Sequence, residues 1–141
     1  MSKDLADSGW AAFIKTLETA EEEFVQGWPA AFKSLWSNAD DVTLCGGFGG
    51  IERGWQNVAD RLDWVSLKYA EGSRTRQEIS AFTGLDFAYI VQLEVIRFRV
   101  PGKSEFSTQE LRATMVFRRE AEEWRIVHRH ADSQIVTKPP S

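Results

Sequence analysis

Three segments in the second half of the chain decide the fold: DFAYIVQLEVIRFR at residues 86–99, FSTQELRATMVFRR at 106–119 and EWRIVHRHADSQIV at 123–136. All three are rich in aromatic and β-branched residues, which is typical of strands. The breaks between them are short, at Pro101-Gly102 and at Ala121-Glu122. Long strands joined by short turns predict an antiparallel meander, and strands of this length usually bend, so we expect a curved sheet.

The first half of the chain carries helical patterns. Apolar residues recur at steps of three and four over residues 8–26 and again from Trp55 to Tyr69, which predicts two amphipathic helices. A short helix is expected between them, from Pro29 to about Trp36. The remaining strand candidates are 42–45, 51–53 and 74–82. Helices followed by a meander predict an α+β fold, with the N-terminal helices packed on the antiparallel sheet.

Composition narrows the class of protein. The length of 141 residues predicts one domain spanning 1–141, with a core at about 10–133 and frayed polar ends. The net charge of -4 and the absence of a basic face argue against nucleic acid as a partner. Cys45 is the one cysteine of the sequence, which fits a reducing compartment. No apolar run is long enough to span a bilayer and residues 1–9 do not resemble a signal peptide, so we expect a cytoplasmic protein without a membrane partner.

Three further segments carry a family resemblance: LW at 35–36 with ADDVTL at 39–44, FGGIERG at 48–54, and VFRR at 116–119 with WRIVHRH at 124–130. They resemble the nuclear transport factor 2-like superfamily, which includes ketosteroid isomerases and SnoaL-type polyketide cyclases. The last segment is similar to the end of the association domain of calcium/calmodulin-dependent kinase. Over about residues 10–133, this resemblance implies a cone-shaped, cystatin-like fold with a central pocket. It also implies a homodimer that forms through the sheet.

The resemblance does not by itself assign a reaction, because this fold serves enzymes and non-enzymes. It places the base of the ketosteroid isomerases at Gly46 and their helix-one tyrosine at Ala20. Neither residue has a side chain that exchanges a proton or donates a hydrogen bond. The sequence therefore argues against that isomerase mechanism and leaves enzymatic activity open.

One face of the strands is predicted to line the pocket. By our alignment this face includes Tyr89, Met115, Phe117 and Arg129, an apolar wall with one cation. Arg129 would anchor the carboxylate of a small hydrophobic ligand, and a ketone is the other ligand class considered. In a second interpretation, Arg129 reaches the rim or pairs with a neighbouring acid. Three aromatic residues are expected near the pocket mouth: Trp28, Phe48 and Trp55.

The opposite face of the strands is predicted to carry a polar cluster of five residues: Glu94, Arg112, His128, His130 and Asp132. We interpret it as a dimer face with charge pairs such as Glu94 with Arg112. Two alternatives remain: a metal site at the His-x-His pair, or a pocket face on which His128 or His130 acts as a general base. No third histidine and no Cys-x-x-Cys motif accompanies the pair, so we predict no metal and no cofactor.

Three functions fit these observations. We favour a small-molecule-binding dimer with a mostly apolar pocket. The alternatives are a non-catalytic association module and a SnoaL-type acid–base enzyme of the isomerase, cyclase or dehydratase class.

Overall fold

The computed structural model describes residues 9–140. Its helices are α1 (Trp10–Phe24), α2 (Ala30–Ser34) and α3 (Trp55–Ser66). Its strands are β1 (Thr43–Gly46), β2 (Gly49–Arg53), β3 (Ala70–Thr83), β4 (Phe87–Arg99), β5 (Phe106–Glu120) and β6 (Glu123–Asp132). The predicted α+β class, with N-terminal helices packed on a curved sheet, is confirmed.

The strands form one six-stranded sheet in the order β2-β1-β6-β5-β4-β3. Strands β3 to β6 form the predicted antiparallel meander. Strand β1 joins its far side in parallel with β6, with Thr43 opposite His128. The turn between β5 and β6 is tight, and Ala121 and Glu122 both adopt positive φ angles there. One edge of the sheet is thus the short β1–β2 hairpin and the other is the long strand β3.

The start of β3 differs from the sequence prediction. Helix α3 ends at Ser66 rather than at Tyr69, and β3 begins at Ala70 rather than at residue 74, so that Gly72 lies inside the strand. A Cβ atom at Gly72 would collide with the carbonyl oxygen of Val25. The strand therefore passes so close to the end of α1 that only glycine fits, and this contact brings Arg74 against the helix.

A β-bulge in β6 sets the direction of the residues that follow it. Phe117 of β5 lies opposite Ile126 whereas its neighbour Val116 lies opposite His128, so Val127 is an extra residue in β6. The extra residue reverses the alternation of side chains along the strand. The residues buried before the bulge have even numbers, and Arg129 takes the inward direction after it.

The core lies between the inner face of the sheet and the helices. Aromatic rings dominate it: Phe117 contacts Trp10 and Phe13 at centroid distances of 5.1 and 5.6 Å. Trp36 and Phe32 pack edge to face nearby. None of the helices within residues 9–140 combines the length and apolar character needed to cross a membrane.

Candidate functional site

A cavity of about 50 Å³ lies between the inner face of the sheet and the helices. Its wall is mostly apolar, with contributions from Phe24, Phe32, Leu44, Phe48, Leu62, Val65, Tyr69, Ile96 and Leu111. Four charged side chains also line it, and we call them the inner charge cluster: Glu21, Arg74, Glu94 and Arg129. Sites for drug-sized ligands have volumes of roughly 300 Å³ or more, so this cavity suits only a much smaller molecule.

The centre of the cluster is a two-pronged ion pair between β4 and β6. The two terminal nitrogens of Arg129 donate to the two carboxylate oxygens of Glu94, at 2.9 and 2.7 Å. The amide of Gln92 donates to the same carboxylate at 2.6 Å. Burial would raise the pKa of Glu94, but Arg129, with help from Arg74 and Gln92, outweighs burial and lowers the pKa to about 2. Glu94 is therefore an ionised, fixed group at neutral pH.

Glu21 is the second carboxyl group of the cluster and behaves in the opposite way. It lies on α1, is only 6% exposed, and has Arg74 Nη2 at 3.0 Å from its Oε2. Burial raises its pKa, Arg74 offsets this only in part, and the charge of Glu94 adds to the rise, which brings the pKa to about 7. Glu21 is thus a buried group that gains and loses a proton near neutrality.

A chain of hydrogen bonds links the cluster to the protein surface. Arg76 on β3 donates to Gln92 at 3.1 Å and to Glu18 on α1 at 2.8 Å. At the other end of the cavity, the Tyr69 hydroxyl donates to Gln109 at 2.8 Å. Burial raises the pKa of Tyr69, so this hydroxyl keeps its proton. Arg76, Gln92 and Tyr69 are therefore held in fixed positions around the cavity.

The turn between β1 and β2 covers one side of the cavity. Phe48 in this turn lies 5.8 Å from the ring of Tyr69 and 6.2 Å from that of Trp64. Arg61 on α3 donates to the carbonyl oxygen of Gly49 at 3.0 Å. The glycine has φ +91°, a conformation that side-chain-bearing residues rarely adopt. Phe48 is partly exposed and forms the boundary between cavity and solvent.

Some of the predicted pocket residues line the cavity, and others lie in the core or on the outer face of the sheet. Phe48 and Arg129 line the cavity. Met115 and Phe117 are buried on the inner face but belong to the core beside it. The placement of Tyr89 in the pocket was wrong. Strand β4 pairs Ile90 with Met115, so the even-numbered residues of β4 face inward and Tyr89 is 39% exposed on the outer face.

Trp28 and Trp55 lie away from the cavity. Trp28 is 60% exposed. Trp55 lines a separate groove on the surface, which it shares with Lys33 and Arg125. Neither tryptophan can stack on a molecule held by Arg129.

The predicted polar face is also divided. Arg112 and Asp132 form an ion pair at 2.6 Å on the outer face. The inclusion of Glu94 was wrong, because it faces inward and its partner is Arg129 rather than Arg112. Arg129 is thus paired with an acid, as its second interpretation anticipated.

Both histidines lie on the outer face. His128 Nδ1 is 2.7 Å from the hydroxyl of Thr43, and burial lowers the pKa of His128. His130 Nε2 lies 3.4 Å from Asp132. The sheet separates both rings from the cavity, so neither can exchange a proton with a molecule bound inside it. Over residues 9–140, no group of three or more His, Cys, Asp or Glu side chains is placed to hold a metal ion.

Glu21 and Arg74 were not predicted as site residues. A signal for Glu21 exists, because it is four residues after Leu17 and three before Phe24 and so shares the buried face of α1. In a run of three glutamates, only Glu21 has this spacing to both apolar neighbours. No comparable signal exists for Arg74, whose direction depends on the contact at Gly72.

Comparison with solved structures supports the fold. A protein from Streptomyces avermitilis, provisionally named a dehydratase of the nuclear transport factor 2-like family, is 18% identical with a TM-score of 0.73, covering 89% of this chain and 99% of that one. A provisionally named calcium/calmodulin-dependent kinase II association domain from Thiobacillus denitrificans is 19% identical with a TM-score of 0.69, covering 87% and 93%. A provisionally named scytalone dehydratase from Novosphingobium aromaticivorans is 11% identical with a TM-score of 0.70, covering 96% and 93%.

A comparison with curated proteins gives no significant match. The sequence model for the SnoaL-like domain matches residues 15–136, which is most of the chain and includes every member of the inner charge cluster. The predicted resemblance is therefore confirmed, and the chain belongs to the SnoaL-like domain family.

Proposed function

We propose that the chain binds a small, mostly apolar molecule in the cavity and carries out acid–base chemistry on it, with Glu21 as the proton-exchanging group. One observation carries the proposal. Two buried carboxyl groups share the cavity wall, and their environments drive the pKa of Glu21 to about 7 and that of Glu94 to about 2. Pairs of acids separated in this way are typical of acid–base sites.

The other members of the cluster have supporting roles. Glu94 fixes Arg129, and Arg129 and Arg74 present positive charge to a carbonyl or carboxylate oxygen of the ligand. The apolar wall limits the access of water, which strengthens these interactions.

A proton shift beside a carbonyl group and an elimination of water both fit this arrangement. In the elimination, Glu21 takes a proton from the carbon beside the carbonyl group. The C–O bond on the next carbon breaks as a double bond forms between the two carbons. Glu21 passes the proton to the departing hydroxyl group, so that one water leaves and Glu21 returns to its starting state. Among the fold neighbours, two are provisionally named dehydratases.

The test combines ligand discovery with a proton-exchange assay. A thermal-shift screen of short-chain carboxylates and small ketones should give hits, since a ligand at 100 times its Kd adds about 2.7 kcal/mol of stability. Ketone hits are then incubated in deuterated water, and deuterium incorporation beside the carbonyl group is followed by NMR. Glu21→Gln should slow incorporation by about 100-fold or more.

The matched control is Glu22→Gln, which changes an exposed glutamate next to Glu21 on the same helix. It should leave the incorporation rate unchanged. Equal rates in wild type and Glu21→Gln would contradict the role of Glu21, and a screen without hits would contradict ligand binding.

A second proposal concerns assembly. We infer that the chain forms a homodimer through the outer face of its sheet, because that face exposes large apolar side chains: Phe82, Phe87, Tyr89 and Val95. The same face would serve an association module without chemistry. Light scattering at micromolar concentration should give twice the chain mass, and the mass of a single chain would contradict the proposal.

A further inference from the structure

The contacts within the inner charge cluster are unequal. Glu94 is held by two bonds from Arg129, one from Gln92 and a longer one, at 3.5 Å, from Arg74 Nη2. Among residues 9–140, Glu21 has a single ion-pair contact, 3.0 Å from Arg74 Nη2. Both Glu21 and Arg74 line the cavity. A bound molecule can therefore displace Glu21 from Arg74 without disturbing the pair between Glu94 and Arg129.

The charge count of the cluster limits which molecules can do this. Two guanidinium groups face two carboxyl groups, so the cluster is neutral when Glu21 is ionised and carries one positive charge when Glu21 is protonated. A monoanion fits the protonated cluster and restores neutrality. Beside an ionised Glu21 it would instead leave an excess negative charge in an apolar cavity, which is strongly unfavourable.

We propose that the cavity takes up a short-chain carboxylate as its anion together with one proton, the anion binding Arg74 in the place of Glu21 and the proton binding Glu21. This inference rests on the proposed function, because it uses the same cavity, and it specifies the charge of the ligand. Protonated Glu21 then becomes a hydrogen-bond donor to the bound carboxylate or to a hydroxyl group beside it. Neutral ketones do not require the proton.

Charged groups from every element packed around Glu21 determine whether it holds a proton. Strand β3 contributes Arg74 and Arg76, β4 contributes Glu94, β6 contributes Arg129, and Glu18 lies one turn away on α1 itself. The cations keep Glu21 partly ionised in the empty cavity, whereas burial and Glu94 oppose its ionisation. An anion at Arg74 removes the main support for the ionised form, so binding and protonation promote one another.

The size of the cavity restricts the carbon skeleton. A water molecule needs about 10–15 Å³ of such space, so a cavity of about 50 Å³ admits about three to five groups of that size, besides a carboxylate that takes the place of the Glu21 carboxylate at Arg74. The apolar side chains Leu62, Val65 and Ile96 surround the space next to the cluster. A short aliphatic carboxylate fits both the volume and the wall.

Calorimetric titration with butyrate tests the proposal. Below about pH 7 Glu21 already holds its proton, so the affinity for butyrate should be constant. Above about pH 7 each binding event must take up a proton, and the affinity for butyrate should fall about tenfold per pH unit. At each pH, titrations in two uncharged or cationic buffers that titrate near that pH and differ in ionisation enthalpy count the protons. We expect close to one proton per butyrate at about pH 8 and close to none at about pH 6.

Variants assign the proton to Glu21. Glu21→Gln should bind butyrate with an affinity that does not depend on pH, and Glu22→Gln should behave as wild type. Should the first variant not fold, the proton count of the wild-type protein still decides the question. Butyrate binding without proton uptake, or binding of small ketones and not of butyrate, would overturn this inference and leave the proposed function standing. Binding of neither class would overturn both.

Discussion

The two faces of the sheet each carry an arginine–carboxylate pair. The two pairs have similar distances but differ in how far they are buried. Arg129 lies 2.7 Å from Glu94 on the inner face, and Arg112 lies 2.6 Å from Asp132 on the outer face. Glu94 and Arg129 have side-chain exposures of 1% and 12%, against 31% and 57% for Asp132 and Arg112. The comparison teaches that the distance within an ion pair does not determine its role, because water screens the outer pair and not the inner one.

The largest effect should come from breaking the inner pair. Arg129→Met leaves Glu94 as a buried carboxylate without its main partner, which should lower the free energy of unfolding by about 3–5 kcal/mol. Urea denaturation measures this loss. Arg112→Met is the matched control on the outer face and should leave the urea midpoint close to that of wild type. Equal losses in the two variants would contradict the contrast between the faces.

The next effect is a change in the pH dependence of stability. Because the pKa of Glu21 rises from 4.5 to about 7 on folding, its contribution to stability is full below about pH 4.5 and is lost as pH rises through about 7. The loss amounts to as much as about 3 kcal/mol. Glu94 acts in the opposite direction, because its contribution is present above about pH 4.5 and is lost as pH falls toward 2.

Glu21→Gln isolates this effect. Compared with wild type, the variant should lose less stability between about pH 5 and pH 8, where Glu94 remains ionised. Urea denaturation at the two pH values, with Glu22→Gln as control, measures the difference. Parallel pH profiles for wild type and Glu21→Gln would show that Glu21 has an ordinary pKa.

A smaller effect is expected from the apolar part of the outer face. Val95→Lys places a charge where the proposed dimer would bury an exposed valine, and should raise the dimer dissociation constant by about tenfold or more. Sedimentation over a range of concentrations measures this constant. The stability of the separate chain should change little, since Val95 is exposed on the outer face of the sheet. A dimer that tolerates lysine here would place the interface elsewhere.

The smallest effect should follow from changing the histidines. Because His128 and His130 lie across the sheet from the cavity, replacing both by glutamine should change deuterium incorporation into a bound ligand by less than about twofold. The exchange assay described above measures it. A large loss of rate would show that a histidine takes part in the proton exchange and would contradict the assignment of Glu21.

The sequence predicts the helices and strands but not which face of each strand is buried. The period of the apolar residues predicts the element types, because helices and strands repeat at different intervals. It does not determine which face of β4 is inward, since Tyr89 and Val91 on one face are as apolar as Ile90 and Ile96 on the other. The family alignment then placed Tyr89 on the inner face and Glu94 on the outer face, the reverse of their positions in the structure.

The inner charge cluster depends on contacts between distant segments. Arg129 points inward because Val127 forms a bulge, and Arg74 does so because Gly72 passes next to Val25. Neither feature has a local sequence signal. Arg129 was predicted from the family alignment, and of the two members that were not predicted, Glu21 alone was within reach, through its spacing on the buried face of α1.

Glu21 titrates near neutrality inside the cavity, and Glu94 does not. A pH titration of protein labelled with ¹³C at the glutamate carboxyl carbons measures both by NMR. We predict one carboxyl resonance that titrates near pH 7 and disappears in Glu21→Gln, and a second that remains ionised down to about pH 2 and disappears in Glu94→Gln. Titration of every glutamate in the ordinary range, near pH 4.3, would contradict the account.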